Sequence, residues 1–333
     1  MGKEMKLQNI GLQDISKENH SLVLEFVLLG LTNSSQLRIP FFIFFLVVYL
    51  FTFLGNLGMI LLIRSNSQLH TPMYYFLSKL SFVDLCYSSV VTPKLLMDFV
   101  VKKNTISWGG CAAQMWFFGF FVAIECHLLA SMAYDRYIAI SKPLLYTVIM
   151  SRNVCVFLTA VPYLLGLLNG TVHTSLTFQL IFCKATINHF FCDIPAVISL
   201  SCSDTSFNLA VLFGLSFAQG TLSGCIVIIS YIYILAATLK IRSTEGRWKV
   251  FSTCSSHLTA VSLFYGTLFF IYVRPSSGST VEEDKIVSMC YTIMIPMLNP
   301  LIYSLRNKEV KDAVKRILSM SRPARRAGSS DVY

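Results

Sequence analysis

The sequence predicts an all-α membrane protein, a bundle of seven transmembrane helices with a short amphipathic helix after the seventh span. Hydrophobic residues make up 54% of the 333 residues, and the mean hydropathy is +0.62. Charged residues make up only 13%, whereas a soluble domain carries about 25%. Long apolar stretches recur along the chain, each near the roughly 20 residues that cross a bilayer.

The first apolar stretch lies between Arg38 and Arg64 and contains no charged residue. Six more follow, at about 71–97, 108–140, 152–184, 204–240, 249–274 and 285–306. We therefore expect an extracellular N-terminal tail at 1–38, a seven-helix membrane domain at 39–305, and a cytoplasmic helix and tail at 306–333. Residues 1–20 are polar, so the first span is expected to target the chain.

Most of the 27 Lys and Arg residues lie on the side of the membrane that holds the C-terminus. Because positive loops stay in the cytoplasm, the N-terminus is predicted to be outside. Asn19 and Asn33 begin glycosylation sequons in that tail. Asn169 also begins one, but it lies at the end of span four and is expected to be shielded by the membrane.

Two carboxylates lie at membrane depth, Asp84 in span two and Glu125 in span three, with Asn56 and Asn299 in spans one and seven. A charge there costs about 2.5–3.5 kcal/mol or more. One interpretation is a shared core that binds a cation, with sodium as the candidate, or holds a proton. The other is a hydrogen-bond network that joins helices without an ion.

Asp135 and Arg136 are adjacent at the end of span three, an arrangement that can pair the two charges or release the arginine. Span seven carries Pro296 and Pro300, each of which removes a backbone hydrogen bond and favours a kink. With Asn299 and Tyr303 the kink forms a candidate hinge, although such kinks are also tolerated without a function. Residues 307–320 predict a basic amphipathic helix on the inner leaflet, with a solvated tail helix as the alternative.

Of ten cysteines, six lie in or beside spans. The exoplasmic four, Cys111, Cys183, Cys192 and Cys202, allow three disulfide pairings, and the residues alone do not choose among them. No zinc-ligand spacing, phosphate loop or catalytic triad occurs, so the sequence predicts no enzyme and no cofactor apart from the candidate sodium ion.

Several motifs together resemble the rhodopsin-like G-protein-coupled receptors, and within them the tetrapod-type odorant (olfactory) receptors, over residues 25–318. They are GN at 55–56, LHTPMYYFLS at 69–78, MAYDRY at 132–137, SY at 230–231, KVFSTCSSHL at 249–258 and PMLNPLIYSLRN at 296–307. Departures from the family pattern are Ser141, Trp248 and a long N-terminal tail, none of which touches the expected switch.

The resemblance implies roles for these residues. Arg136 would pair with Asp135 at rest and be released on activation, opening a crevice for a G-protein helix, and Tyr231 and Tyr303 would stabilise the open form. The expected switch and coupling residues are Asp135, Arg136, Tyr137, Tyr231, His257, Asn299 and Tyr303. Asp84, Glu125 and Asn299 would match the family's sodium site, and the disulfides would join Cys111 to Cys192 and Cys183 to Cys202.

A ligand site is expected among the outer halves of spans three, five, six and seven. The candidate residues are Phe118, Gly119, Val122, Ala123, Cys126, Leu215, Ser216, Gln219, Tyr265, Leu268, Phe269, Tyr272, Met289 and Thr292. They are mostly apolar with a few polar groups, as in small-molecule pockets. Because no carboxylate lies between Cys111 and Ile124, we expect a small, neutral, hydrophobic odorant. Each residue taken singly is also explained by packing between helices.

The resemblance further implies a plasma-membrane receptor, in olfactory cilia, that couples to a heterotrimeric stimulatory G protein and raises cyclic AMP. A related chemosensory or non-olfactory receptor with another small ligand is the nearest alternative. A transporter or channel would also use buried carboxylates, but no internal repeat or conductive polar stripe is evident. No nucleic-acid partner is expected, because the basic excess lies on one side of the membrane.

Overall fold

The computed structural model describes residues 24–32, 34–101, 104–273, 281–306 and 308–320. Its first six long helices are α1 (Ser35–Ser65), α2 (Pro72–Val100), α3 (Trp108–Ser141), α4 (Arg152–Phe178), α5 (Ser206–Leu239) and α6 (Thr244–Val273). The seventh span joins α7 (Val281–Met289), a π-helical turn (Cys290–Met294) and α8 (Ile295–Arg306). The helix α9 (Lys308–Met320) follows. The predicted seven-helix fold with a short helix after span seven is confirmed.

Within the described residues, helices α1 to α5 and the stretch Glu282–Ser304 are each long and apolar enough to cross a membrane. The remaining span, α6, packs against α3, α5 and α8 inside the same bundle. Outward-facing side chains such as Leu54, Phe217 and Leu235 are exposed although they are large and apolar. Such a surface is suited to lipid rather than to water.

Helix α3 lies at the centre of the bundle, where it packs against α2, α4, α5 and α6. Its contact with α4 is close because α4 presents glycines to it. A Cβ atom added at Gly166 would lie 2.7 Å from the Phe120 carbonyl oxygen, and one at Gly170 would lie 2.7 Å from that of Trp116. Small residues at such contacts let two membrane helices approach until their backbones touch.

Span seven is shaped by its two prolines. Pro300 has no N–H, so it cannot donate to the carbonyl of Pro296, four residues earlier. The side chain of Asn56 replaces that donor, since its Nδ2 lies 3.0 Å from the Pro296 oxygen. At Gly55 an added Cβ would lie 3.2 Å from the Pro300 ring, so the glycine leaves room for the proline. The pair Gly55 and Asn56 thus fits α1 to the kinked α8.

The end of the bundle at which α3 begins carries a small sheet that the sequence analysis missed. Strand β1 (Glu25–Leu28) pairs antiparallel with β2 (Thr105–Ser107) and parallel with β3 (Thr186–Ile187). Phe26 and Leu28 point to one face of β1 and are buried in a separate apolar core. Four residues with a single alternation give a weak strand signal, and here the pairing with two distant loops determines the strand.

Two disulfides hold this end of the bundle together. They join Cys111 to Cys192 and Cys183 to Cys202, with Cα–Cα distances of 5.5 and 5.7 Å, which are the pairings that the resemblance implies. The expected external loop, between α4 and α5, spans residues 179–205, because α4 continues to Phe178 and α5 begins at Ser206. Asn169 lies within α4 and is buried, and its shielding from glycosylation stays a prediction.

The contact between α3 and α4 gives a prediction about stability. Gly170→Ala places a methyl group against the α3 backbone, so we expect a loss of about 1–3 kcal/mol of stability. The measurement is the thermal unfolding midpoint of the purified protein. Gly58→Ala is the matched control, because a Cβ at Gly58 has nothing within 4 Å. Equal unfolding midpoints for the two variants would contradict the close contact.

Candidate ligand pocket, ion site and activation switch

The two buried carboxylates meet at a single amide. The Nδ2 atom of Asn299 donates to Asp84 Oδ1 and Oδ2 at 3.2 and 3.0 Å, and it lies 3.5 Å from Glu125 Oε1. All three side chains are at most 3% exposed. Since α2, α3 and α8 supply one residue each, the sequence-predicted polar core is assembled from three spans. The side chain of Asn56, the fourth polar residue, instead donates to the carbonyl of Pro296.

The composition of this cluster suits a hard cation. Glu125 Oε2 and Asn299 Oδ1 are buried without a hydrogen-bond partner among the described residues. Two adjacent carboxylates in a low-dielectric interior need a compensating proton or cation. The donors are oxygens, and the described part of the chain has no cluster of three or more His, Cys, Asp or Glu side chains placed to hold a metal ion. The set therefore fits a monovalent or alkaline-earth ion better than a transition metal.

The expected ligand region is lined by aromatic rings at its outer end. Phe118 lies with its ring centroid 5.6 Å from that of Tyr87, 5.0 Å from Phe191 and 5.9 Å from Tyr291. These rings come from α2, α3, the external loop and the π-helical turn of span seven. Tilted aromatic contacts of this kind provide apolar surface with little conformational freedom.

A cluster of three polar side chains lies deeper, between α3, α5 and α6. The Cys126 Sγ is 3.0 Å from Ser223 Oγ and 3.6 Å from the Tyr265 hydroxyl, which also donates to the Cys126 carbonyl at 3.2 Å. Ser223 is fully buried and donates to the Gln219 carbonyl at 2.7 Å. Three helices thus place a thiol and two hydroxyls together beneath the aromatic rings.

Two predicted ligand residues lie instead at the contact with α4. Asn169 Nδ2 donates to the Gly119 carbonyl at 2.8 Å, and Gln219 Nε2 donates to Asn169 Oδ1 at 3.1 Å. A Cβ at Gly119 would meet Asn169 and Gly170 at 3.4 and 3.5 Å. Gly119 therefore packs against α4, and the Gln219 amide joins α5 to α4 through Asn169.

The other predicted ligand residues have mixed positions. Ala123 and Thr292 are buried, and Thr292 Oγ1 donates to the Ser288 carbonyl at 2.7 Å. The half-buried members of the set are Val122, Leu215, Ser216, Leu268 and Met289. The side chains of Phe269 and Tyr272 lie outside the described part of the chain, as do both predicted glycosylation sites, Asn19 and Asn33.

The external loop covers this region. Its Phe191 packs on Phe118, and the Cys192 N–H donates to Gln114 Oε1 on α3 at 2.9 Å. Burial lowers the pKa of His189 to about 3, and the positive charge of Lys285 adds to that shift. Burial raises the pKa of Asp193 to about 7, helped by the negative charge of Asp284. His189 is thus neutral near pH 7, and Asp193 is only partly ionised.

At the opposite end of α3, Asp135 and Arg136 do not form the ion pair that the resemblance implies for a resting receptor. The Tyr146 hydroxyl, on a one-turn helix (Tyr146–Ile149), donates to Asp135 Oδ1 at 2.8 Å. Asp135 is buried, and this bond occupies the carboxylate oxygen that a direct ion pair with the neighbouring arginine would use. In this conformation the expected lock is therefore replaced by a contact with the loop after α3.

The remaining switch residues converge near Arg136. The Tyr231 hydroxyl lies 2.7 Å from His257 Nδ1, and His257 Nε2 lies 3.1 Å from the Leu129 carbonyl. Nε2 must carry the proton that bonds this carbonyl, so Nδ1 accepts from Tyr231. Tyr303 is buried, and its hydroxyl has no hydrogen-bond partner in the described residues. The half-buried Tyr137 packs against Tyr233 with a centroid distance of 5.3 Å.

Sequence reasoning missed three residues of these sites. Ser223 follows Gln219 by four residues, so helical spacing alone would have placed it one turn deeper on the same face. Asn169 had a signal too, because an amide deep in an apolar span needs a partner. Tyr146 had none, since its contact with Asp135 depends on how the loop after α3 folds.

Comparison with known proteins places the chain among sensory receptors. The sequence profile of the olfactory receptor family matches residues 45–321. Olfactory receptor 5G29 of Mus musculus is 58% identical over 303 residues, covering 91% of this chain and 96% of the relative. Olfactory receptor 5G3 of Homo sapiens is 58% identical over 300 residues, with 90% and 96% covered. Olfactory receptor 8A1 of Homo sapiens is 54% identical over 301 residues, with 90% and 92% covered.

Proposed function

Because this chain belongs to the olfactory receptor family of rhodopsin-like G-protein-coupled receptors, we propose that it detects a small, neutral, hydrophobic volatile and activates a stimulatory, olfactory-type G protein. The family membership makes it a multi-pass membrane receptor that senses odorants and signals through G proteins, and not an enzyme. The ligand class, the binding site, the G protein and the rise in cyclic AMP are the proposal. So are an extracellular N-terminus, glycosylation at Asn19 and Asn33, and residence in olfactory cilia.

The proposed ligand class rests on one cluster of polar side chains. The thiol of Cys126 and the hydroxyls of Ser223 and Tyr265 meet between α3, α5 and α6, below the Phe118 ring. These groups offer one or two hydrogen bonds within apolar walls, as a site for a small uncharged molecule does. Glu125, the carboxylate next to Cys126, contacts Asn299 and belongs to the ion site. A charged amine would therefore find no counter-ion on this part of α3.

The residues around Arg136 support the proposed activation of a G protein. Arg136 forms no ion pair with Asp135, whose Oδ1 accepts a hydrogen bond from the Tyr146 hydroxyl. Tyr231 and His257 connect α5, α6 and the Leu129 carbonyl of α3 through two hydrogen bonds. We infer that ligand binding shifts the equilibrium between an Asp135–Arg136 pair and this Tyr146-bound arrangement. Asn299 and Tyr303, on α8, would transmit the occupancy of the ion site to this end.

The function is tested by measuring cyclic AMP in cells that express the chain with a stimulatory olfactory-type G protein, exposed to a panel of volatiles. We expect a dose-dependent rise for at least one neutral volatile, abolished by Arg136→Ala because the G-protein helix loses its central contact. Surface labelling and direct stimulation of adenylyl cyclase are the controls. A response that survives Arg136→Ala would contradict the switch, and responses confined to charged amines would contradict the ligand class.

The ligand site is tested by Ser223→Ala with an active volatile. Losing one hydrogen bond in the pocket costs about 0.5–1.5 kcal/mol, so the half-maximal concentration should rise by about 2- to 12-fold. Thr221→Ala is the matched control, because Thr221 is on the same helix but exposed on its outer surface. Equal dose–response curves for Ser223→Ala and the unmodified receptor would remove this group from the site.

A further inference from the structure

The hydroxyl hydrogen of Ser223, in the polar cluster between α3, α5 and α6, is directed at the backbone of its own helix. Ser223 Oγ lies 2.7 Å from the Gln219 carbonyl oxygen and 3.3 Å from that of Gly220. A carbonyl oxygen can only accept a hydrogen bond, and a serine hydroxyl has a single hydrogen. Toward every other group, Ser223 therefore offers lone pairs and no hydrogen.

The other two side chains of the cluster also donate their hydrogens inside the protein. Cys126 Sγ lies 3.0 Å from Ser223 Oγ, and because the serine hydrogen is directed at a carbonyl, the thiol is the donor in this contact. The Tyr265 hydroxyl donates to the Cys126 carbonyl at 3.2 Å. The three hydrogens of the cluster are thus all used, whereas the Tyr265 oxygen keeps lone pairs that can accept.

Tyr265 is the member of the cluster that a ligand can reach. Ser223 is 0% and Cys126 is 6% exposed, whereas Tyr265 is half-buried. One helical turn nearer the end of the bundle at which α3 begins, Val122 and Leu268 lie on the same faces of α3 and α6, and both are half-buried. A small molecule can therefore place its hydrocarbon part against these two side chains and its polar group at the Tyr265 oxygen.

Unused donors near the cluster lie at other depths of the bundle. The Tyr87 hydroxyl is buried without a partner in the described part of the chain, but its ring packs on Phe118. Phe118 precedes Cys126 by eight residues, or about 12 Å along α3. Ser216 precedes Ser223 by seven residues, or about 10 Å along α5. At the depth of the cluster, the three side chains consequently present acceptors only.

Building on the function proposed above, we propose that the ligand carries a hydroxyl group, as an alcohol or a phenol does, and donates its hydrogen to the oxygen of Tyr265. Such a ligand adds a hydrogen bond to the cluster without breaking one. A ketone, an ester or an ether must instead take the Tyr265 hydrogen from the Cys126 carbonyl, so that one bond replaces another. A single hydrogen bond changes affinity by about 2- to 12-fold, and the site should favour an alcohol over the corresponding ketone by about that factor.

The test adds pairs of volatiles with the same carbon skeleton to the cyclic AMP assay on the full chain: octanol and octanone, menthol and menthone, and borneol and camphor. We expect at least one alcohol to act at a lower half-maximal concentration than its ketone. Because Tyr265→Phe removes the accepting oxygen, the potency ratio of alcohol to ketone should fall by about 2- to 12-fold in that variant. Comparing the ratio between two receptors cancels differences in solubility and membrane partition.

The matched control is Tyr49→Phe, which removes a hydroxyl that contacts Ser89 between α1 and α2 and should leave the ratio unchanged. Equal losses of potency for alcohol and ketone in Tyr265→Phe would overturn the hydrogen bond, because a merely structural role of the hydroxyl affects both ligands alike.

The unmodified receptor tests the ligand class without any variant, so the proposal stays open to refutation even if Tyr265→Phe fails to reach the cell surface. Activation by ketones or hydrocarbons as potent as any alcohol would overturn the ligand class and leave the proposed function in place. Silence toward every volatile, with surface expression confirmed, would overturn the proposed function together with the ligand class.

Discussion

One buried contact determines how three of the seven spans meet. The Asn299 amide reaches the carboxylates of Asp84 and Glu125 at the same time, so α8, α2 and α3 must approach to hydrogen-bonding distance. An amide nitrogen has two hydrogens and no charge, so it cannot neutralise two carboxylates. The assembly therefore depends on a further positive charge, which we propose is a bound sodium ion. Its occupancy would be linked to the helix positions that the cluster joins.

The two prolines of span seven shape the helix that connects this contact to the end of the bundle that carries Arg136. Pro300 leaves the Pro296 carbonyl without its helical donor, and Asn56 supplies one. Tyr303 lies one turn beyond Asn299, buried near Arg136. A change at the ion site thus acts on a helix whose backbone hydrogen bonds are already interrupted. This is the arrangement expected of a hinge, and it favours that interpretation over a tolerated kink.

How much could be predicted from the sequence depends on the length scale of each interaction. The seven spans follow from hydropathy, because the bilayer allows only segments that satisfy their own backbone hydrogen bonds. Asp84, Glu125 and Asn299 were found because a polar group in an apolar span needs a partner. Tyr146 binding to Asp135 and the three-stranded sheet were missed, since both depend on loops whose paths no local pattern specifies. Gly119 was assigned to the ligand site because helical spacing cannot distinguish a cavity from a neighbouring helix.

The central claim, that a cation compensates Asp84 and Glu125, is tested most directly by the unfolding midpoint of the purified receptor in sodium chloride and in choline chloride at equal ionic strength. A bound ion stabilises the folded state by mass action, so we predict a higher midpoint in sodium for the unmodified receptor. Asp84→Asn should lose this difference. Asp98→Asn, on the same helix but paired with Lys94 instead, should retain it. Equal midpoints of the unmodified receptor in the two salts would contradict the claim.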